Sequence, residues 1–263
     1  LGRIIAVVNQ KGGVGKTTTA VNVAAALAIA EKSTLLVDFD PQANSTRALG
    51  FEKDPERETV YDALCGDATY QGIVKTVEEL PHLKVLPADN DLIGAEVEMV
   101  DMESREYRLK AMLDPVREQF DHVFIDCPPS LGLLTVNALA SADAILIPVQ
   151  CEYLALEGIT QLMETVRQVR EALNPELEIA GILLTMYDDR TSLARQVVAE
   201  VREVFGEQVY ETVIPRNVRL GEAPSHGKAI FLYDIRSKGA EAYLKLAKEI
   251  LDHEEESFGQ RAS

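Results

Sequence analysis

The stretch Asn9-Gln10-Lys11-Gly12-Gly13-Val14-Gly15-Lys16-Thr17-Thr18 gathers three glycines, two lysines and two threonines into ten residues. That composition suits the binding of a polyphosphate. Glycines let the backbone turn so that its N–H groups point inward at anionic oxygens. Where such a turn leads into a helix, the positive end of the helix dipole adds to the attraction. Lys16 is then placed to reach the terminal phosphates and the Thr17 hydroxyl to ligate Mg²⁺. Gly12, Gly13, Val14, Gly15 and Thr18 complete the expected cradle. A tight turn that merely needs glycine is the plainer alternative, but Gly-Lys-Thr between a strand and a helix matches the phosphate-binding loop, or P-loop.

Two further segments bring carboxylates. Leu35-Leu36-Val37-Asp38-Phe39-Asp40-Pro41-Gln42 and Val123-Phe124-Ile125-Asp126-Cys127-Pro128-Pro129 each run from apolar residues into aspartate. In α/β sheets, ligands sit beyond the carboxyl ends of the strands, so carboxylates there share the space of the cradle. Asp126 fits the Walker B position, which holds Mg²⁺ through water. Asp38 and Asp40 are one residue apart and share a face of an extended segment. Asp40, just past the strand, is expected to position an attacking water, and Asp38 to orient the Mg²⁺ shell. Aspartate before proline also caps turns, so one of the pair is expected to be structural.

These residues need elements to hold them. Apolar runs predict strands at 3–9, 34–38, 83–86, 122–126, 144–149, 178–185 and 209–214. Helical spacing predicts helices at 16–30, 105–119, 132–140, 154–172, 191–205 and 237–252. Runs such as Ala144-Ile145-Leu146-Ile147-Pro148-Val149 are apolar on both faces, as strands covered by helices must be. The repeated strand-then-helix order makes the fold class α/β, a mostly parallel twisted sheet flanked by helices, of the P-loop NTPase type. One domain is expected over 1–252, with 50–82 as a polar insertion and 253–263 as a flexible acidic tail.

Composition sets limits. The 263 residues carry 26 basic and 43 acidic side chains, a formal charge of −17, which taken alone argues against nucleic acid. The charge is uneven, however: residues 216–238 hold five basic against two acidic residues. Cys65, Cys127 and Cys151 are odd in number and far apart, which points to a reducing compartment and offers no metal or disulfide framework. No apolar run has the length of a membrane span and no leader pattern opens the chain, so a cytoplasmic location is expected. His226 follows a serine but lacks any activated-serine motif, and is expected to be a loop histidine.

The loop departs from the usual pattern: Gln10 stands where a glycine is common, and Lys11 precedes the glycines. Lys-Gly-Gly-Val-Gly-Lys-Thr-Thr at 11–18 resembles the deviant Walker A P-loop ATPases. With Val-Asp-Phe-Asp-Pro-Gln at 37–42 and Ile-Asp-Cys-Pro-Pro-Ser at 125–130 it resembles the ParA/MinD superfamily. Pro148-Val149-Gln150-Cys151-Glu152-Tyr153, Ile214-Pro215-Arg216-Asn217-Val218-Arg219-Leu220 and Glu222-Ala223-Pro224-Ser225-His226-Gly227 narrow this to the chromosomal ParA (Soj) proteins, from 2 to about 250. The resemblance implies an ATP- and Mg²⁺-dependent ATPase that forms an ATP-dependent sandwich homodimer. It also implies non-specific binding of that dimer to double-stranded DNA, association with the nucleoid, and a ParB-type partner that stimulates hydrolysis. It makes Lys11 the lysine that crosses to the partner's nucleotide and Asp40 the water-positioning aspartate. Met186, Pro215 and Asn217 lie where the family holds adenine, and Arg190 and Arg219 where it contacts DNA.

Three rival classes remain to be weighed. A MinD-like membrane-associated ATPase would need a basic amphipathic C-terminal helix, whereas Asp252-His253-Glu254-Glu255-Glu256 is acidic. An Fe–S reductase would need a different cysteine pattern. A P-loop synthetase that phosphorylates a small acid has nothing but the loop in its favour.

Overall fold

The computed structural model describes residues 2–66 and 68–261, with side chains described as far as Glu255. Among the described residues seven strands form one sheet in the order β3-β4-β2-β5-β1-β6-β7. They are β1 (Arg3–Val7), β2 (Thr34–Asp38), β3 (Lys75–Val77), β4 (Leu80–Leu86), β5 (His122–Asp126), β6 (Ala144–Gln150) and β7 (Glu178–Thr185). All neighbours pair in parallel except β3, which runs antiparallel to β4 at the edge.

The helices are α1 (Lys16–Ile29), α2 (Asn44–Ala48), α3 (Val60–Cys65), α4 (Tyr70–Ile73), α5 (Leu92–Glu98), α6 (Arg108–Leu113), α7 (Leu133–Ser141), α8 (Ala155–Ala172), α9 (Ser192–Phe205), α10 (Val218–Glu222), α11 (Ile230–Asp234) and α12 (Lys238–Arg261). Side chains alternate across a strand, so each central strand feeds two cores. Ile4, Ala6, Val123 and Ile125 join one core, packed with Leu109, Leu134 and Ile159 from helices. Ile5, Val7 and Phe124 join the other, packed with the alanines of α1 and with Tyr243 and Leu246 of α12. From Ala20 to Ala28 every residue of α1 is buried. Small alanines keep the helix regular while letting it approach the sheet closely.

Strand order places the chemistry. Because β5 lies between β2 and β1, Asp126 stands level with both Asp38 and Val7. The cradle leaves β1 directly beside these two carboxylates, at the carboxyl edge of the sheet, where such folds bind ligands.

Several sequence expectations are corrected. Residues 50–82, expected as a polar insertion, are built into the fold. They supply α3, α4 and β3, and Val60, Leu64, Tyr70, Ile73 and Val77 are buried in the cores. Residues 209–214 do not form a strand: Val209 makes only an isolated bridge with Ile182. The helix expected at 105–119 breaks into 3₁₀ turns at Arg105–Tyr107 and Arg117–Gln119 around α6. The tail expected to be flexible continues α12 to Arg261, and Glu254 is tied to Arg3 at 3.1 Å and to His122 at 2.9 Å. Residues 262–263 lie outside the described residues. Among the described residues no helix is long and apolar enough to cross a membrane.

Candidate functional site

The loop after β1 owes its shape to two glycines. Gly13 (φ 75°) and Gly15 (φ 92°) adopt left-handed conformations, and Gly15 forms the N-cap of α1. From outside the loop, the Thr185 hydroxyl donates to the Val14 carbonyl at 2.8 Å, fixing the turn to the end of β7. Lys16 is buried, and its ammonium donates to the Lys11 carbonyl at 3.1 Å, lying across the mouth of its own loop. Burial pulls the Lys16 ammonium below the ordinary lysine range, against the raising charges of Asp126 and Asp40.

The carboxylates divide by their hydrogen bonds. Asp126 is fully buried; the Ser45 hydroxyl donates to its Oδ2 at 2.7 Å, while its Oδ1 has no partner within hydrogen-bond geometry among the described residues, the Thr17 hydroxyl lying close by. Asp38 is equally buried, but both its oxygens are engaged. Its Oδ2 accepts from the Thr46 backbone N–H and the Thr46 hydroxyl, each at 2.7 Å, and its Oδ1 from the Asp40 N–H at 3.3 Å. Burial raises both carboxyls above the ordinary carboxylate range, and the Asp38 charge raises Asp126 further. The Thr46 bonds oppose the rise at Asp38, and the Ser45 and Thr17 hydroxyls oppose it at Asp126. Asp40 caps the following turn, accepting from the Gln42 N–H at 2.9 Å.

Asp38 is thus tied into the structure while standing level with Asp126 at the sheet edge. Its lone pairs hold α2 to the end of β2, and Thr46 passes the tie to the Ala88 N–H at 3.0 Å. Asp126 differs from Asp38 in keeping one buried oxygen without a partner among the described residues. A buried anion with a bare lone pair, flanked by the Thr17 and Ser45 hydroxyls, is a hard oxygen donor set that fits Mg²⁺. Among the described residues no three His, Cys, Asp or Glu side chains could hold a metal by themselves.

The remaining expected residues fall as follows. Lys11 turns its ammonium to Glu152 of the same chain, at 2.7 Å. Met186 stands at φ 51°, beside Tyr187, whose N–H donates to the Ile214 carbonyl at 3.1 Å. Tyr187 also bridges to Pro215, so Met186 and the 215–217 turn are neighbours. Asn217 caps α10 by accepting from the Arg219 N–H at 2.9 Å. Arg190 is largely exposed and chelates Asp188 at 2.8 and 2.6 Å. Arg219 pairs with Glu222 at 2.8 Å and with Asp234 at 3.4 Å. Both arginines thus stand on the surface with acidic neighbours. Cys127 is buried beneath the loop, and burial pushes its thiol far up, so it is no nucleophile. His226 stacks on Tyr233 at 4.9 Å.

A cleft of about 1020 Å³ opens from Thr17 and Thr18 and runs between α2 and the 220–228 segment, past Arg47, His226 and Lys228. It gives the cradle room for more than phosphates, although Met186 and Pro215 do not line it. Sequence reasoning missed Ser45, Thr46 and Thr185. Two of them follow Asp38-Phe39-Asp40-Pro41 closely enough that a search for hydroxyls beside the aspartates would find them. Thr185 is visible only once β7 is placed.

Comparison with known proteins agrees with this geometry. A family model described as an AAA domain matches residues 2–179. The Bacillus subtilis sporulation initiation inhibitor protein Soj is 58% identical over 252 residues, covering 95% of this chain and 98% of its own. The Myxococcus xanthus chromosome partitioning protein ParA is 56% identical over 251 residues, covering 95% of this chain and 88% of its own. The chain belongs to the ParA/Soj family of P-loop ATPases. Among solved structures, Mycobacterium smegmatis cobyrinic acid a,c-diamide synthase with a bound ATP analog and magnesium superposes with a TM-score of 0.85. It is 38% identical and covers 97% of this chain and 96% of its own. The ParA/Soj assignment accounts for the seven-stranded sheet and for a cradle that begins with an extra lysine.

Proposed function

We propose that this ParA/Soj protein binds ATP with Mg²⁺, pairs with a second copy across the nucleotides, and in that form holds double-stranded DNA without sequence preference. Hydrolysis, stimulated by a ParB-type partner, then returns it to the unpaired state, so that the ATPase acts as a timer for partitioning a chromosome or plasmid over the nucleoid.

The observation that carries this reading is the meeting of three features at one sheet edge. They are a glycine cradle on a helix N-terminus, a buried Asp126 with an oxygen that lacks a partner among the described residues, and Lys11 at the start of the cradle with its ammonium on Glu152. The cradle N–H groups and Lys16 hold the phosphates, and Thr17 and Asp126 would hold the cation. Mg²⁺, when bound, neutralises charge on the β- and γ-phosphates. Asp40, next to this group, would orient the attacking water. Lys11 supplies a further positive charge, which the family resemblance directs to a second subunit's triphosphate. Positioned charge of this kind is what phosphoryl transfer requires.

DNA contact is assigned to Arg190 and Arg219. Each must exchange its carboxylate neighbour for phosphate, so a single subunit binds weakly, and pairing doubles the charges engaged. A MinD-like membrane-associated role is the alternative reading, and identity to the partitioning proteins favours the DNA-bound one. A synthase role such as the Mycobacterium smegmatis protein's name states is not favoured, since identity to the partitioning proteins is higher.

Gel filtration with ATP or ADP, with and without duplex DNA, tests the proposal. A shift to twice the monomer mass with ATP alone, and DNA co-elution only then, is expected. A monomer in every nucleotide that nevertheless hydrolyses ATP would overturn it.

A further inference from the structure

The direction of the Lys11 side chain is built by buried groups. Asn9 is 4% exposed; its Oδ1 accepts from the Lys11 N–H at 3.0 Å and its Nδ2 donates to the Pro148 carbonyl at 2.7 Å. One side chain thus clips the start of the cradle to β6. Glu152 lies two residues past the end of β6, where its carbonyl accepts from the Ala155 N–H at 3.0 Å as α8 begins. The two segments therefore sit at a fixed separation, and the Lys11 ammonium meets Glu152 Oε2 at 2.7 Å. At the same time the Lys11 carbonyl accepts from the Lys16 ammonium at 3.1 Å, so its backbone is tied to its own cradle while its ammonium is tied to Glu152. Next to the pair, Tyr153 is 82% and Leu154 53% exposed, large apolar side chains on the rim that a second copy must approach for Lys11 to cross.

We infer that Glu152 is a positioning residue that holds Lys11 within the unpaired subunit, and that pairing on a triphosphate requires this hold to be released. The inference rests on the crossing lysine of the proposed function and adds a control to it. The exchange trades one carboxylate for the higher charge of a triphosphate. A diphosphate offers less charge, so the hold favours the unpaired state when ADP is bound. The pair is about half exposed, 48% and 45% for the two side chains, so the hold is weak and salt-sensitive. An exposed ion pair of this kind shifts an equilibrium by a factor of about 1.4 to 5, and two must open per dimer, giving about 2- to 30-fold.

The test is sedimentation velocity in a non-hydrolysable ATP analogue with Mg²⁺, on wild type, Glu152→Gln and Glu152→Asp, over a range of salt. It is accompanied by amine labelling of Lys11 in the dilute, nucleotide-free protein, read by mass spectrometry. Glu152→Gln is expected to pair about 2- to 30-fold more tightly at low salt, the gap closing as salt rises. Glu152→Asp, which keeps the charge, is expected to stay close to wild type, and Lys11 to label faster in Glu152→Gln than in wild type. Equal or weaker pairing of Glu152→Gln, or unchanged Lys11 labelling, overturns the inference. A wild type that stays monomeric in the analogue instead overturns the proposed function, and with it the release step, whatever the labelling shows.

Discussion

Replacing Asp126 by asparagine should stabilise the nucleotide-free protein while destroying its use of ATP. Burial and the neighbouring Asp38 push the Asp126 carboxyl up to about 7. The folded state therefore binds a proton that the unfolded chain, with an ordinary carboxylate, has already released. Below the ordinary carboxylate range both states are protonated and nothing is lost. As pH rises through the window up to about 7, stability falls, and above it the whole penalty is present. That penalty is at most about 4 kcal/mol. An amide is also costly to bury, so the variant should recover about half, about 2 kcal/mol, or about 4–8 °C in Tm for a chain of this size. Ser45 keeps a partner, since the amide oxygen accepts its hydroxyl. Thermal melts followed by circular dichroism near pH 5 and near pH 8, with and without ATP and Mg²⁺, check this. The variant's gain should be larger near pH 8 than near pH 5, and ATP with Mg²⁺ should raise the Tm of wild type but not of the variant. A variant less stable than wild type near pH 8 without nucleotide would refute the reasoning, because Asp126 would then be compensated within the protein.

Asp38 should behave in the opposite way: Asp38→Ala strands the Thr46 N–H and hydroxyl and the Asp40 N–H, and should lower stability by about 2–4 kcal/mol in the same melts, with or without nucleotide. Arg219→Ala should weaken DNA binding by the ATP-loaded protein and reduce the slope of log affinity against log salt by about 2 per dimer, measured by fluorescence anisotropy at several salt concentrations. An unchanged slope would remove Arg219 from the DNA surface.

What the sequence made legible was whatever depends on local pattern. The Gly-Lys-Thr loop, the apolar strand cores and the aspartates at strand ends are read directly because glycine conformation and period-2 burial leave marks in a few adjacent residues. Residues 50–82 were misread because a polar composition hid Val60, Leu64, Ile73 and Val77, whose burial depends on a distant edge of the sheet. The end of α12 was misread for a related reason. Its glutamates look like a solvated tail until Arg3 and His122, far away in sequence, are seen to receive Glu254. The different surroundings of Asp38 and Asp126 were likewise invisible, since both are aspartates ending buried strands. Only the donors around them, Thr46 for one and Ser45 for the other, tell them apart.

The central claim, that Lys11 serves a nucleotide held by a second copy, is tested most directly by mixing two inactive variants. Lys11→Ala keeps Asp40 but lacks the crossing amine, and Asp40→Ala keeps the amine but lacks the water-positioning carboxylate. In an equal mixture, a mixed dimer has one site with its own Asp40 and the partner's Lys11, so ATPase activity should return to about a quarter of the wild-type value. No recovery on mixing, from variants that each bind ATP and pair, would place Lys11 in its own subunit's site and contradict the account.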